Sequence, residues 1–60
     1  MLPKFAPGQS VKSRSTEQRG KVVHNTLHPD GHWVVIVDIP HGQATLRRHF
    51  EESDLEKERT

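Results

Sequence analysis

Five histidines in 60 residues are the densest chemical signal in this chain. His24, His28 and His32 recur at every fourth residue, a spacing that lines side chains along one helical face, and a histidine triad so arranged can hold zinc. The residues between them remove the helix. Asn25-Thr26 disfavours it, and Pro29-Asp30-Gly31 forbids it between the second and third histidines. On a hairpin, His24 and His32 would instead face each other across a strand pair, with His28 at the tip. Neither a cysteine nor a consistent carboxylate is at hand to complete a tetrahedral shell. The expectation is therefore no metal and no cofactor, with the histidines in polar turns.

Nucleophilic catalysis finds no support either. Ser10, Ser13, Ser15 and Ser53 lack the Gly-x-Ser-x-Gly context that presents a serine on a sharp turn beside a base. The acidic pair Glu51-Glu52 falls on a short turn, which points its carboxylates in different directions. A domain of this size also lacks the walls of a deep pocket, so no catalytic residue and no enzymatic activity are expected.

What remains is basic charge. Residues 1–50 carry seven basic residues against three acidic ones, whereas residues 51–60 carry two against five. The body is basic and the tail acidic. Lys12, Arg14, Arg19, Lys21, Arg47 and Arg48 are the candidate binding residues, able to meet backbone phosphates or an acidic protein surface. Trp33, Phe50 or the histidines would be the stacking surfaces. Strand alternation predicts that Lys12 and Arg14 share the face opposite Val11, and that Arg47 and Arg48 point to opposite faces.

These side chains need elements to hold them, and the punctuation is dense. Pro7-Gly8, Gly20, Pro29-Asp30-Gly31 and Pro40-His41-Gly42 cut the chain into pieces too short for ordinary helices. Strands are expected over 9–15, from Lys21 to about Thr26, over 32–38 and over 43–50, and a last short one around Leu55 after a single helical turn. Residues 57–60 are expected to fray. Hydrophobic residues make up only 30% of the chain, so the core must come from a short list concentrated in Val22, Val23 and the run 33–37, with the aromatics Phe5, Trp33 and Phe50 all needed for it. Trp33 is expected to anchor it, on one buried face with Val35, Val37 and Val22. Gly20 is expected to take a positive φ in the turn that opens the second strand.

The series Phe5-x-Pro-Gly-x-x-Val11, Arg19-Gly20-x-Val22-Val23, Asp30-Gly31-x-Trp33-x-Val35-x-Val37 and Arg47-Arg48-x-Phe50-x-x-Ser53-Asp54-Leu55-Glu56 resembles small bacterial SH3-like barrels of KOW and Tudor style. The resemblance runs from Phe5 to Glu56 and implies an all-β, five-stranded SH3-like barrel with a short helical turn before its last strand. A more distant likeness links Gly8-x-x-Val11, Gly20 and Pro29-Asp30-Gly31 to the type II dihydrofolate reductase barrels. There the Val-Gln-Ile-Tyr pore motif of that family is replaced by Thr45-Leu46-Arg47-Arg48, so the likeness does not extend to folate chemistry.

One domain over residues 1–60, ordered from about 5 to 56, is the expected organisation. No stretch approaches the roughly 20 apolar residues of a membrane span, and residues 1–7 lack a signal-peptide core, so a cytoplasmic location without membrane attachment is expected. Two functions fit. The first is a non-catalytic module docking on a larger protein complex, and the alternative is a weak nucleic-acid module gripping phosphates through its basic faces. Self-association stays open beside both.

Overall fold

The computed structural model describes residues 2–58. Five strands follow one another: β1 (Ser10–Ser13), β2 (Arg19–Leu27), β3 (Trp33–His41), β4 (Ala44–Glu51) and β5 (Leu55–Lys57), with a single 3-10 turn at Glu52–Asp54 before the last. They form one antiparallel sheet in the order β4-β3-β2-β1-β5. The all-β expectation holds, as does the helical turn before the last strand. The sheet is not closed into a barrel, because β4 and β5 are its two edges. Among the described residues no helix is long and apolar enough to cross a membrane.

β3 forms the spine, as its β-branched run requires, pairing with β2 on one side and β4 on the other. It runs past the expected end at Asp38 to His41, leaving Gly42, at φ 63°, to open a short turn into β4. Pro40 is tolerated inside it for a local reason. Pairing with β2 ends at Lys21↔Asp38, so beyond that point β3 bonds only to β4 and needs no further N–H on its other side.

Alternation sorts the two faces. Val11, Val22, Val35, Val37, Ile39 and Leu55 are buried together with Phe5, and half-buried Leu46 and Phe50 pack against them. A bulge in β2 between Val22 and His24 sets Val22 opposite Val37 and His24 opposite Ile36, so Val23 is the inserted residue. The next core-facing position is Asn25, whose side-chain amide donates to the Phe5 carbonyl at 2.8 Å. That bond fastens the segment before β1 onto the sheet.

Two expectations about single residues are corrected. Trp33 shares the alternation of Val35 and Val37, yet it is only half-buried and stands outside the core, with Nε1 shielded and without a partner among the described residues. It lies at the turn end of the β2–β3 hairpin, opposite exposed Leu27, where among the described residues no further strand covers it. Phe5 fills the aromatic role in the core instead. Gly20 has no positive φ; it lies within β2, paired with Val11, and the positive-φ glycines are Gly8, Gly31 and Gly42. At the C-terminal end, Lys57 belongs to β5 and the Glu58 N–H donates to the Ser10 carbonyl at 3.0 Å, so neither is frayed. Arg59 and Thr60 lie outside the described residues.

Candidate functional site

The register fixes where the six basic residues stand. Lys12 and Arg19 are direct neighbours across β1 and β2, and Lys21, Asp38 and Arg47 form one row across β2, β3 and β4. All lie on the face away from the core, because each alternates with a core-facing position. Arg14 follows the end of β1, its N–H donating to the Asp54 carbonyl at 2.7 Å. Arg48 stands on the other face, opposite Val37 and flanked by Leu46 and Phe50. The predicted split of Arg47 from Arg48 is therefore observed.

Four of these six cations have a carboxylate beside them. Arg19 Nε lies 2.8 Å from Glu58 Oε1, Arg14 Nε 3.6 Å from Glu56 Oε1 and Lys12 Nζ 3.9 Å from Glu17 Oε1. Arg47 grips Asp38 with two bonds, Nε to Oδ1 at 2.8 Å and Nη2 to Oδ2 at 3.0 Å. Those bonds hold the Asp38 carboxyl below the usual carboxylate range and raise the Arg47 guanidinium. Exposed pairs of this kind add little to stability, because solvent screens them. Their effect on the surface is larger, since they turn a basic face into a mosaic of alternating sign. Of the six, Lys21 and Arg48 have no carboxylate within ion-pair distance among the described residues.

An open groove of about 450 Å³ crosses this mosaic. Arg19, Lys21 and Glu58 line one part of it, and Asp38, Pro40 and Thr45 the part formed by the end of the β3–β4 hairpin. Sequence reading found the two cations and missed the rest. Glu58 was assigned to a frayed end, and Pro40 to a turn rather than to a strand.

The evenly spaced histidines do not form one cluster: His24 stands apart from the other two. His24 stands opposite Ile36, whereas His32 precedes β3 and stacks on His28, with centroids 5.0 Å apart. His32 Nδ1 contacts Asp30, and its Nε2 lies 3.3 Å from Glu51 Oε1. The His32 backbone N–H also donates to Asp30, and this bond is the main reason why the Asp30 carboxyl is held low. The expected facing of His24 and His32 across the hairpin is not found. Among the described residues no group of three or more histidine or carboxylate side chains is arranged to hold a metal ion. Glu51 and Glu52 diverge as expected, Glu51 toward His32 and Glu52 toward the Lys4 N–H at 2.7 Å.

The serines serve Asp54. Ser13, fully buried opposite Leu55, donates its hydroxyl to Asp54 Oδ2 at 2.5 Å, and the Ser15 hydroxyl donates to the same oxygen at 2.9 Å. The Ser15 N–H adds a bond to Oδ1 at 3.1 Å. No histidine joins this group, and its evident work is to tie the end of β1 to the 3-10 turn. These donors, the Ser13 hydroxyl first, hold the Asp54 carboxyl below its ordinary range. The unfolded chain therefore takes up that proton at a higher pH than the folded one. The stabilisation is complete above the ordinary carboxylate pKa and is lost as pH falls through that value and below it. Asp54→Asn is expected to melt below the parent at neutral pH and to lose part of the parent's acid-side decline in Tm, with Asp30 and Asp38 supplying the remainder. Equal slopes of Tm against pH for the two proteins would show that Asp54 plays no such part.

Comparison of the chain with family models, with curated proteins and with solved structures found no match.

Proposed function

We propose that this chain is an SH3-like module that docks on a protein partner, without catalysis of its own. The observation that carries the docking reading is the pairing of Lys12, Arg14, Arg19 and Arg47 with carboxylates. A phosphate backbone approaching that face meets Glu58, Asp38 and Glu56 as well as the cations, and of the six candidate residues the two without a carboxylate partner, Lys21 and Arg48, lie on opposite faces. A protein surface of mixed charge suits such a mosaic, because alternating signs give register and selectivity where a single-signed field gives bulk attraction. The groove over Arg19, Lys21, Asp38 and Pro40 provides a concave place for contact. The SH3-like part of the reading rests on the succession of four strands, a 3-10 turn and a fifth strand that returns to pair with the first.

The nucleic-acid alternative makes the opposite demand on salt. Mobility of random-sequence duplex and single-stranded DNA, mixed with the full chain at about 50 mM salt, is expected to be unchanged. Retardation that disappears steeply as salt rises to about 200 mM is the mark of phosphate binding and would replace the docking reading with its rival.

A further inference from the structure

The edge strand β4 is the long unpaired margin of the sheet, eight residues from Ala44 to Glu51. Its core-facing positions are Leu46, Arg48 and Phe50. Leu46 and Phe50 pack on the core yet remain half-exposed, because nothing among the described residues lies beyond them. Between them Arg48 is exposed and has no carboxylate within reach among the described residues. The other face is already committed at Arg47, which is held by Asp38.

We propose that the free edge of β4 accepts an extended segment of a partner protein as a sixth strand, with an acidic residue facing Arg48 and apolar residues two positions to either side covering Leu46 and Phe50. The inference rests on the docking reading and names the partner's chemistry. Strand addition supplies main-chain bonds to the unpaired N–H and C=O groups of the edge, while alternate side chains carry the selectivity. Arg48 sets that selectivity in both directions. A cation on a sheet edge discourages indiscriminate pairing, and the same cation opposite a carboxylate becomes a favourable cross-strand pair.

Charge also argues against a second copy of this chain as the occupant. Antiparallel pairing of β4 with itself about Arg48 sets the Arg48 side chains of the two copies opposite each other on one face, and like charges on opposed strands are destabilising. The other edge, β5, is only three residues long and presents Leu55 and Lys57 on its core-facing side, again placing a cation near Arg48. The occupant is thus an acidic strand from elsewhere.

The probe is a capped peptide of alternating threonine and valine whose central valine is replaced by glutamate, titrated into the isotope-labelled full chain. Hydrogen exchange is expected to slow at every second amide of β4, those whose N–H points off the sheet. Arg48→Glu is expected to weaken binding roughly tenfold, and a lysine-centred peptide to restore it, with an unchanged Tm showing that the fold is intact. Absence of binding, equal affinity for parent and variant, or perturbed amides centred on Arg19 and Lys21 instead of β4 would each overturn the proposal. So would slowed β4 amides in the peptide-free chain together with a dimer in sedimentation, because the occupant would then be a second copy. The docking reading fails on a separate measurement, salt-sensitive retardation of DNA, so the two failures are distinguishable.

Discussion

Phe5→Ala is expected to unfold the chain at room temperature, whereas Trp33→Ala leaves a protein that still melts cooperatively. Phe5 precedes the first strand but is buried with Val11, Val22, Val35, Val37, Ile39 and Leu55. Its carbonyl is also the acceptor for Asn25, a partly buried amide on the core-facing side of β2. Truncating a buried phenylalanine costs about 3–5 kcal/mol, from lost transfer energy and from the cavity left behind. A core of this size supplies a net stability of about the same magnitude, so little or nothing remains. Trp33 is larger but only half-buried and stands apart from that cluster, so its removal opens no cavity in the core. Urea titrations followed by circular dichroism rank the two variants. A cooperative Phe5→Ala transition near the parent midpoint, or a Trp33→Ala protein already unfolded without urea, would reverse the assignment.

The inverted ranking of the two aromatics shows which part of the fold was legible in the sequence. Strand identity came through because turn residues punctuate a chain whose apolar runs are β-branched, and both signals are local. The five strands and the turn at Glu52–Asp54 overlap the places those signals gave them, with the ends of the first four strands displaced by up to three residues. Burial is not local. Trp33 and Val35 have the same alternation, but Val35 lies at mid-sheet, fully buried, while Trp33 lies at the hairpin end beside Leu27, itself 51% exposed. Nothing in residues 32–38 distinguishes the middle of the sheet from its rim. Phe5 shows the reverse effect: its scarcity as an aromatic marks it for the core, but it reaches the core from outside any strand only because the chain before β1 folds back over the sheet.

The candidate site was legible as a list of residues and illegible as a field. Alternation placed Arg47 and Arg48 on opposite faces correctly. It could not supply Asp38 as the partner of Arg47, because that pairing is set by the β3–β4 register, which depends on where the turn falls. With Pro40 read as part of the turn, β3 ended too early for Asp38 to stand opposite Arg47. Glu58 was lost as a partner of Arg19 because the last strand reaches further than its single apolar residue, Leu55, suggested. Both omissions lowered the apparent negative charge around the basic residues and so favoured phosphate binding more than the assembled surface does.

Gly20→Ala is expected to be among the most damaging substitutions of a single small residue in the chain, and for a reason other than backbone handedness. Gly20 pairs with Val11 within β2 and has no positive φ, so alanine is locally permitted and the αL penalty does not arise. The obstacle is β3. A Cβ built at Gly20 lies 2.2 Å from the Asp38 carbonyl oxygen and 2.8 Å from Val37 Cγ1. The first of these is main chain within the β2–β3 ladder, next to the Lys21↔Asp38 pair, and the second belongs to a side chain that is 1% exposed. Neither can swing aside as the end of an exposed side chain would. Glycine here permits the close approach by which the sheet curls, bringing β1 and β5 over the face of β3. Accommodating a methyl group means parting the strands at the point where the bulge after Val22 already bends β2. Overpacking of this kind costs about 1–3 kcal/mol and more where the backbone must move, enough to remove much of the stability of a domain this small. At Gly42, whose Cβ would meet nothing within 4 Å, only the strain of its positive φ opposes the same change, about 1–2 kcal/mol. Urea midpoints of the two variants separate the mechanisms: Gly20→Ala must lose more than Gly42→Ala if close approach is decisive. Equal losses, or a Gly20→Ala protein as stable as its parent, would mean that the curl of the sheet does not depend on that contact.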